Sequence, residues 1–197
     1  MDEFGAPDIA TVDSHAVVLV EGVSDQIAVE TVAARLGRNL DNEGVAVVPI
    51  GGAHALGRVL TRFGPGGAAM KLAGLYDVGE EGVIRRALEQ AGFGSGRELT
   101  RAAMEELGFY VCVVDLEDEL IRALGATSVE AVIDSQRELD SFRTLQKQPA
   151  WRDRRIEAQL RRFLGNSNRK IRYARLLVDA LDPAQVPQPL RLVLAQV

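Results

Sequence analysis

Hydrophobic positions along the chain fall into short continuous runs, separated by stretches with helical spacing. Residues 16–20, AVVLV, are wholly apolar and mostly β-branched, the pattern of a strand covered on both faces. From 25 to 36 the apolar residues Ile27, Val29, Val32, Ala33 and Leu36 predict a helix, which Gly37 stops. A second apolar run at 45–50 ends in Gly51-Gly52, and 53–63 predicts another helix. The Gly-Pro-Gly-Gly at 64–67 breaks the chain. Residues 69–76 predict a third strand, weakened by Gly74, and 80–91 a helix. Residues 109–114 predict a fourth strand with strong β propensity. Strands alternating with helices indicate parallel βαβ units and a doubly wound α/β sheet of four strands.

Beyond residue 115 the strand signals vanish. Residues 116–124, 128–139, 152–164 and 170–181 predict helices, and Pro183, Pro187 and Pro189 predict a broken tail. The expected organisation is an α/β domain over 14–124 with a helical extension over 125–197 packed on it.

Composition narrows the chemistry. An apolar content of 47% in 197 residues excludes a disordered chain. The single cysteine excludes a disulfide framework and any Cys-rich zinc or iron–sulfur site. Cys112 falls inside an apolar run and is expected in the core. Two histidines, His15 and His54, are too few for a three-histidine metal site, and both are expected to be incidental. Tyr76 and Tyr110 lie in strand candidates and are expected in the core. The start, MDEFGAPDIA, has no basic region followed by an apolar one, and no apolar run approaches a membrane span. The expectation is a soluble, cytoplasmic protein.

Three of the four predicted strands end in acids. The first runs into Glu21-Gly22, with Asp25 at the next helix start. The third runs into Asp77, followed by Gly79-Glu80-Glu81. The fourth runs into Asp115, followed by Glu117, Asp118 and Glu119. In open parallel sheets, sites form at the carboxyl ends of strands. Like charges gathered there raise one another's pKa and call for a cation. Oxygen ligands without histidine or cysteine suit Mg²⁺ or Mn²⁺, ions that activate water and clamp phosphoryl oxygens. Asp115 and Asp25 also fit plain helix caps, and Glu80 or Glu81 could merely complement a helix dipole.

These residues resemble the Toprim domain, a metal-binding fold of topoisomerases, primases and nucleases, in the form found in OLD family nucleases. The resemblance is carried by Val20-Glu21-Gly22-Val23-Ser24-Asp25, Val47-Val48-Pro49-Ile50-Gly51-Gly52, Asp115-Leu116-Glu117-Asp118 and Arg169-Lys170-Ile171-Arg172-Tyr173-Ala174. It covers residues 14–181. It implies a Rossmann-like sheet on which Glu21, Asp25, Asp77 and Glu117 hold divalent metal, supported by Asp115 and Asp118, with Lys170 near the scissile phosphate of DNA. Two departures stand out. Gly79 occupies the second position of the expected Asp-x-Asp, so either Glu80 or Glu81 substitutes for it or one metal position is weakened. No Walker motif accompanies the domain, so any ATPase partner is expected to be a separate chain. A topoisomerase would need a strand-passage domain, and a primase a zinc module that one cysteine cannot supply.

The net charge of −5 discourages a nucleic-acid reading until it is resolved along the chain. Residues 1–136 carry −12, and residues 137–175 carry +8. The basic segment includes Arg154, Arg155, Arg161, Arg162, Arg169 and Arg172, interleaved with Trp151, Phe163 and Tyr173. Arginine suits phosphate binding, and phosphate contacts dominate affinity for DNA. The competing expectation is that these arginines solvate helix faces or pair with the acidic domain. Trp151 is expected to anchor the helical part to the sheet. Three readings remain: a metal-dependent nuclease, a metal- or nucleotide-binding regulatory module without turnover, and a structural partner that docks on an ATPase.

Overall fold

The computed structural model describes residues 14–51, 56–94 and 98–197. Four strands, β1 (Ala16–Val20), β2 (Val45–Pro49), β3 (Lys71–Asp77) and β4 (Phe109–Cys112), form one all-parallel sheet in the order β2-β1-β3-β4. All five residues of β1 are buried, as expected of a strand with a partner on each side and helices over both faces.

Alternation along the strands divides the interior in two. Val18, Val20, Val47, Ala73 and Leu75 face one layer of helices. That layer contains α1 (Val23–Arg35), α5 (Leu116–Leu124), α6 (Ala126–Ser135), α7 (Leu139–Lys147), α8 (Ile156–Leu164), α9 (Ser167–Ala180) and α10 (Gln188–Ala195). Val17, Leu19, Val48, Leu72 and Tyr76 face the other layer, of α2 (Leu56–Phe63), α3 (Glu81–Gln90) and α4 (Arg101–Glu106). The chain leaves β1 for β2 on one side, then returns to pair β3 on the other. The reversal opens a crevice between the carboxyl ends of β1 and β3, where open α/β sheets place their sites.

Cys112, Tyr76 and Tyr110 are buried as expected, whereas His54 lies outside the described residues. Several boundaries differ from the sequence expectation, each for a local reason. The fourth strand stops at Cys112, because the amide of Val113 donates to Glu119 Oε1 (2.9 Å) instead of continuing the ladder. The single helix expected over 128–139 is two, α6 and α7, broken where Arg137 adopts a left-handed φ of 58°. The helix expected from residue 152 begins at Ile156, after a tight turn. The tail expected to be broken contains α10, whose Leu190, Val193 and Leu194 are buried. Proline fits the first helical turn, where its missing N–H has no partner to lose. Helix α4, which no pattern predicted, is capped by Thr100, whose side chain accepts from Ala103 N (3.2 Å).

Gly74 weakens the strand pattern for a packing reason. A Cβ there would sit 2.9 Å from two ring carbons of Phe109 and 3.2 Å from Leu19 O. The glycine thus makes room for the first aromatic of β4. Gly74→Ala is expected to destabilise the protein by about 1–3 kcal/mol through overpacking, measured by urea unfolding. Combining it with Phe109→Leu should recover part of the loss, and a neutral Gly74→Ala would contradict this packing.

Candidate metal and phosphate site

Six side chains meet at the crevice. Glu21 follows the last residue of β1, and Asp77 is the last residue of β3. Asp25 lies in the first turn of α1, buried to 7% exposure. Asp115 is the N-cap of α5, and Glu117 lies in that helix's first turn, buried to 6% exposure. Lys170 reaches in from α9, with Nζ 3.3 Å from Glu117 Oε2.

The capping expectation holds for two of these acids. Asp25 Oδ2 accepts from Gly22 N (2.8 Å), and Asp115 Oδ1 accepts from Asp118 N (2.8 Å). Asp115 also pairs through Oδ2 with Arg161 Nε of α8 (2.5 Å). Asp77 precedes the 3₁₀ turn Val78–Glu80, yet its side chain makes no capping hydrogen bond there.

The electrostatics follow from crowding. Burial, then the charges of Glu21, Asp115 and Asp25, push the Asp77 carboxyl up to about 8, while Lys170 pulls it down. Burial likewise raises Glu117 to about 7 against the pull of Lys170. Asp25 is raised by burial, again opposed by Lys170. Burial works against the charged form of Lys170, but Glu117, Asp25 and Glu21 together hold its pKa above the ordinary value. The ammonium therefore stays charged, while the acids compete for protons.

The remaining expected residues have partners or positions of their own. Glu81 pairs with Arg101 of α4, on the opposite face of the sheet from Lys170. Glu80 closes the 3₁₀ turn after Asp77. Asp118 and the buried Glu119 both pair with Arg122, at 2.8 and 2.6 Å. Arg169 and Arg172 both bind Glu138, the former at 2.8 Å. Burial opposes the charge on Glu138, but these two arginines hold its carboxyl below the usual range. Arg155 lies 3.4 Å from Glu157, while Arg154 and Arg162 are exposed. Trp151, expected to anchor the helices to the sheet, is instead half-exposed in the turn before α8. The buried Gln159 of α8, which no sequence pattern marked, donates to Trp151 O and Arg154 O. A lone uncharged polar residue beside Leu160 carries no periodic signal of such a role.

The all-oxygen donor set fits a hard divalent cation, and the raised acids show negative charge that one lysine does not fully balance. Among the described residues, no three histidine, cysteine or carboxylate side chains converge closely enough to ligate one ion as they stand. The fit therefore lies in donor chemistry and charge.

A family model described as the Overcoming lysogenization defect protein-like TOPRIM domain matches residues 14–65, the segment that contains β1, Glu21, Asp25 and β2. The fold is similar to the C-terminal region of the Xanthomonas campestris pv. campestris OLD protein. In its platinum-phased structure the TM-score is 0.71 and the identity 23%, covering 93% of this chain and 92% of that one. Residues 14–65 thus resemble an OLD-like Toprim domain, and the whole described chain has the fold of OLD C-terminal regions. The C-terminal region of the Burkholderia pseudomallei OLD protein is similar to it with a TM-score of 0.72 and 20% identity, covering 93% and 97% of the two chains. None of the curated proteins compared with it matches. Among the described residues, no helix is long and apolar enough to cross a membrane.

The raised acids set a pH dependence. A carboxyl whose folded-state pKa lies above its unfolded value binds its proton more tightly in the folded chain. Its stabilising contribution is complete below about pH 4, and is lost as pH rises through about 7 for Glu117 and about 8 for Asp77. In chelator, the Tm should therefore fall as pH is raised from about 5 to about 8.5, and Asp77→Asn should flatten the fall. Calorimetry showing a Tm that rises across this window would refute the crowded-acid description.

Proposed function

We propose that this protein is a divalent-metal-dependent nuclease that hydrolyses phosphodiester bonds in DNA. The observation that carries this reading is the meeting of Glu21, Asp25 and Asp77 with Lys170 at the sheet's switch point. Glu21, Asp77 and Asp25 would hold Mg²⁺ or Mn²⁺, with Glu117 and Asp115 beside them. The ion would supply an activated water and charge for the phosphoryl oxygens. Glu21 and Asp77 follow or end their strands and lie only partly buried, so a cation at this edge would be within their approach. Asp25 is pinned by its bond to Gly22 and offers a fixed edge.

Lys170 supplies the permanent positive charge. A cation aimed at the developing charge of a phosphoryl transition state acts before any rearrangement is needed. Its ion pair with Glu117 orients the ammonium, and the half-buried setting strengthens its field. Arg161 keeps Asp115 in place through the cap and the ion pair.

With Mn²⁺ and supercoiled DNA, the protein should produce nicked circles, and Glu21→Ala should abolish the activity. Lys170→Ala should lower the rate by about 10²- to 10³-fold. Nicking that survives Glu21→Ala would place the chemistry elsewhere.

Gly79 favours a second reading, a metal- or nucleotide-binding regulatory module without turnover that acts with a separate ATPase chain. In that case Mg²⁺ raises the Tm without cleavage. Nothing lies within 4 Å of a Cβ placed at Gly79, so the missing second acid is not imposed by packing. Gly79→Asp should tighten Mn²⁺ binding by about tenfold by adding a charged oxygen ligand, read by calorimetric titration. Unchanged affinity would mean that residue 79 does not face the ion.

A further inference from the structure

Next to the acidic cluster lies an open groove of about 650 Å³. It is lined by Glu117 and Lys170, by the Asp115–Arg161 ion pair, and by Trp151, Arg154 and Arg162. Trp151 and Arg154 belong to the turn that precedes α8. Trp151 N donates to Gln148 O, and Arg154 N to Trp151 O, both at 2.9 Å. Underneath, Gln159 is buried to 5% exposure. Its Nε2 donates to Trp151 O (2.8 Å) and Arg154 O (3.0 Å), and its Oε1 accepts from Gln146 Nε2 (2.7 Å).

Burying an amide is unfavourable unless its hydrogen bonds are met. Here they are met by the backbone of the turn that presents an indole and a guanidinium. The tryptophan leaves part of a large apolar ring in water, forgoing burial worth having elsewhere. Arg162 lies 5.9 Å from the ring centroid, the outer limit of a cation–π contact, so it is only weakly held there. Arg154 is exposed. An aromatic ring that shares one groove with exposed arginines and a lysine is complementary to a stacked base with neighbouring phosphates.

Resting on the phosphodiester reading above, we propose that this groove binds a single-stranded segment of DNA. An unpaired base stacks on Trp151, Arg154 and Arg162 take the adjacent phosphates, and the strand continues toward Lys170. The groove volume suits one nucleotide, within the range of ordinary ligand sites. In a duplex the bases are already stacked on one another, and no face is offered to the indole.

Trp151 is the chain's only tryptophan, so the emission of the intact protein reports on the groove. An oligonucleotide of about ten residues should quench that emission saturably, and the same strand annealed to its complement should quench it far less. By anisotropy of a labelled strand, Trp151→Ala should weaken binding about tenfold, while Trp151→Phe keeps most of it. Arg154→Gln should weaken binding and lower the salt dependence by about one ion. No quenching by the single strand, or equal affinity for strand and duplex, overturns the groove assignment even if metal-dependent nicking is present. Preferential, Trp151-dependent binding of the single strand with no cleavage in Mn²⁺ upholds the groove and removes the nuclease reading.

Discussion

The structure depends on holding several negative charges together at a half-buried sheet edge. A parallel sheet delivers the carboxyl ends of its strands to one side, so Glu21 and Asp77 arrive there by topology alone. Asp25 and Glu117 are added by the helices that start at the same edge. Charges that crowded are unfavourable without a cation. Lys170 of α9 and Arg161 of α8 supply it from a region more than forty residues further on. The helices after β4 are therefore an electrostatic part of the site. Arg35 of α1 reinforces the arrangement by donating to the carbonyls of Asp179 and Leu181, which satisfies groups left open at the end of α9.

This explains the uneven charge along the chain. Much of the basic excess over 137–175 is engaged internally: Arg143 with Glu130, Arg169 and Arg172 with Glu138, and Arg161 with Asp115. Exposed pairs of this kind add little to stability. Their consequence is that most arginines of the segment are committed, and the exposed Arg154 and Arg162 lie beside one groove. An interaction surface chosen from charge density alone would have been spread over the whole segment.

The sheet was legible because each strand is a short, apolar, β-branched run, and the acids were legible because they follow those runs directly. What stayed hidden depends on contacts between distant residues. Gly74 looks like a strand breaker until Phe109 is seen to occupy its missing side chain. Pro187 and Pro189 look like a broken tail until α10 begins on them and buries Leu190 and Val193. Glu81 has the right spacing to replace the missing acid at residue 79, yet Arg101 of α4 draws it to the other side. Trp151 looked like an anchor because large aromatics are usually buried, and only the turn fixed by Gln159 shows otherwise.

Capping and ligand chemistry are not competing explanations for these acids. Asp115 uses Oδ1 to cap α5 and Oδ2 to hold Arg161. Asp25 uses Oδ2 to hold Gly22 N while its charge acts on Asp77. The cap fixes the carboxylate's direction without local strain, because it satisfies a backbone N–H that would otherwise lack a partner. Glu21 and Asp77 lie directly at strand ends, and Asp77 caps nothing in the turn that follows it. Of the five acids at this edge, Asp25 and Asp115 are thus fixed by caps and Glu117 by Lys170, while Glu21 and Asp77 stand at the strand ends. A cation placed there would meet a set of acids whose directions are partly fixed in advance.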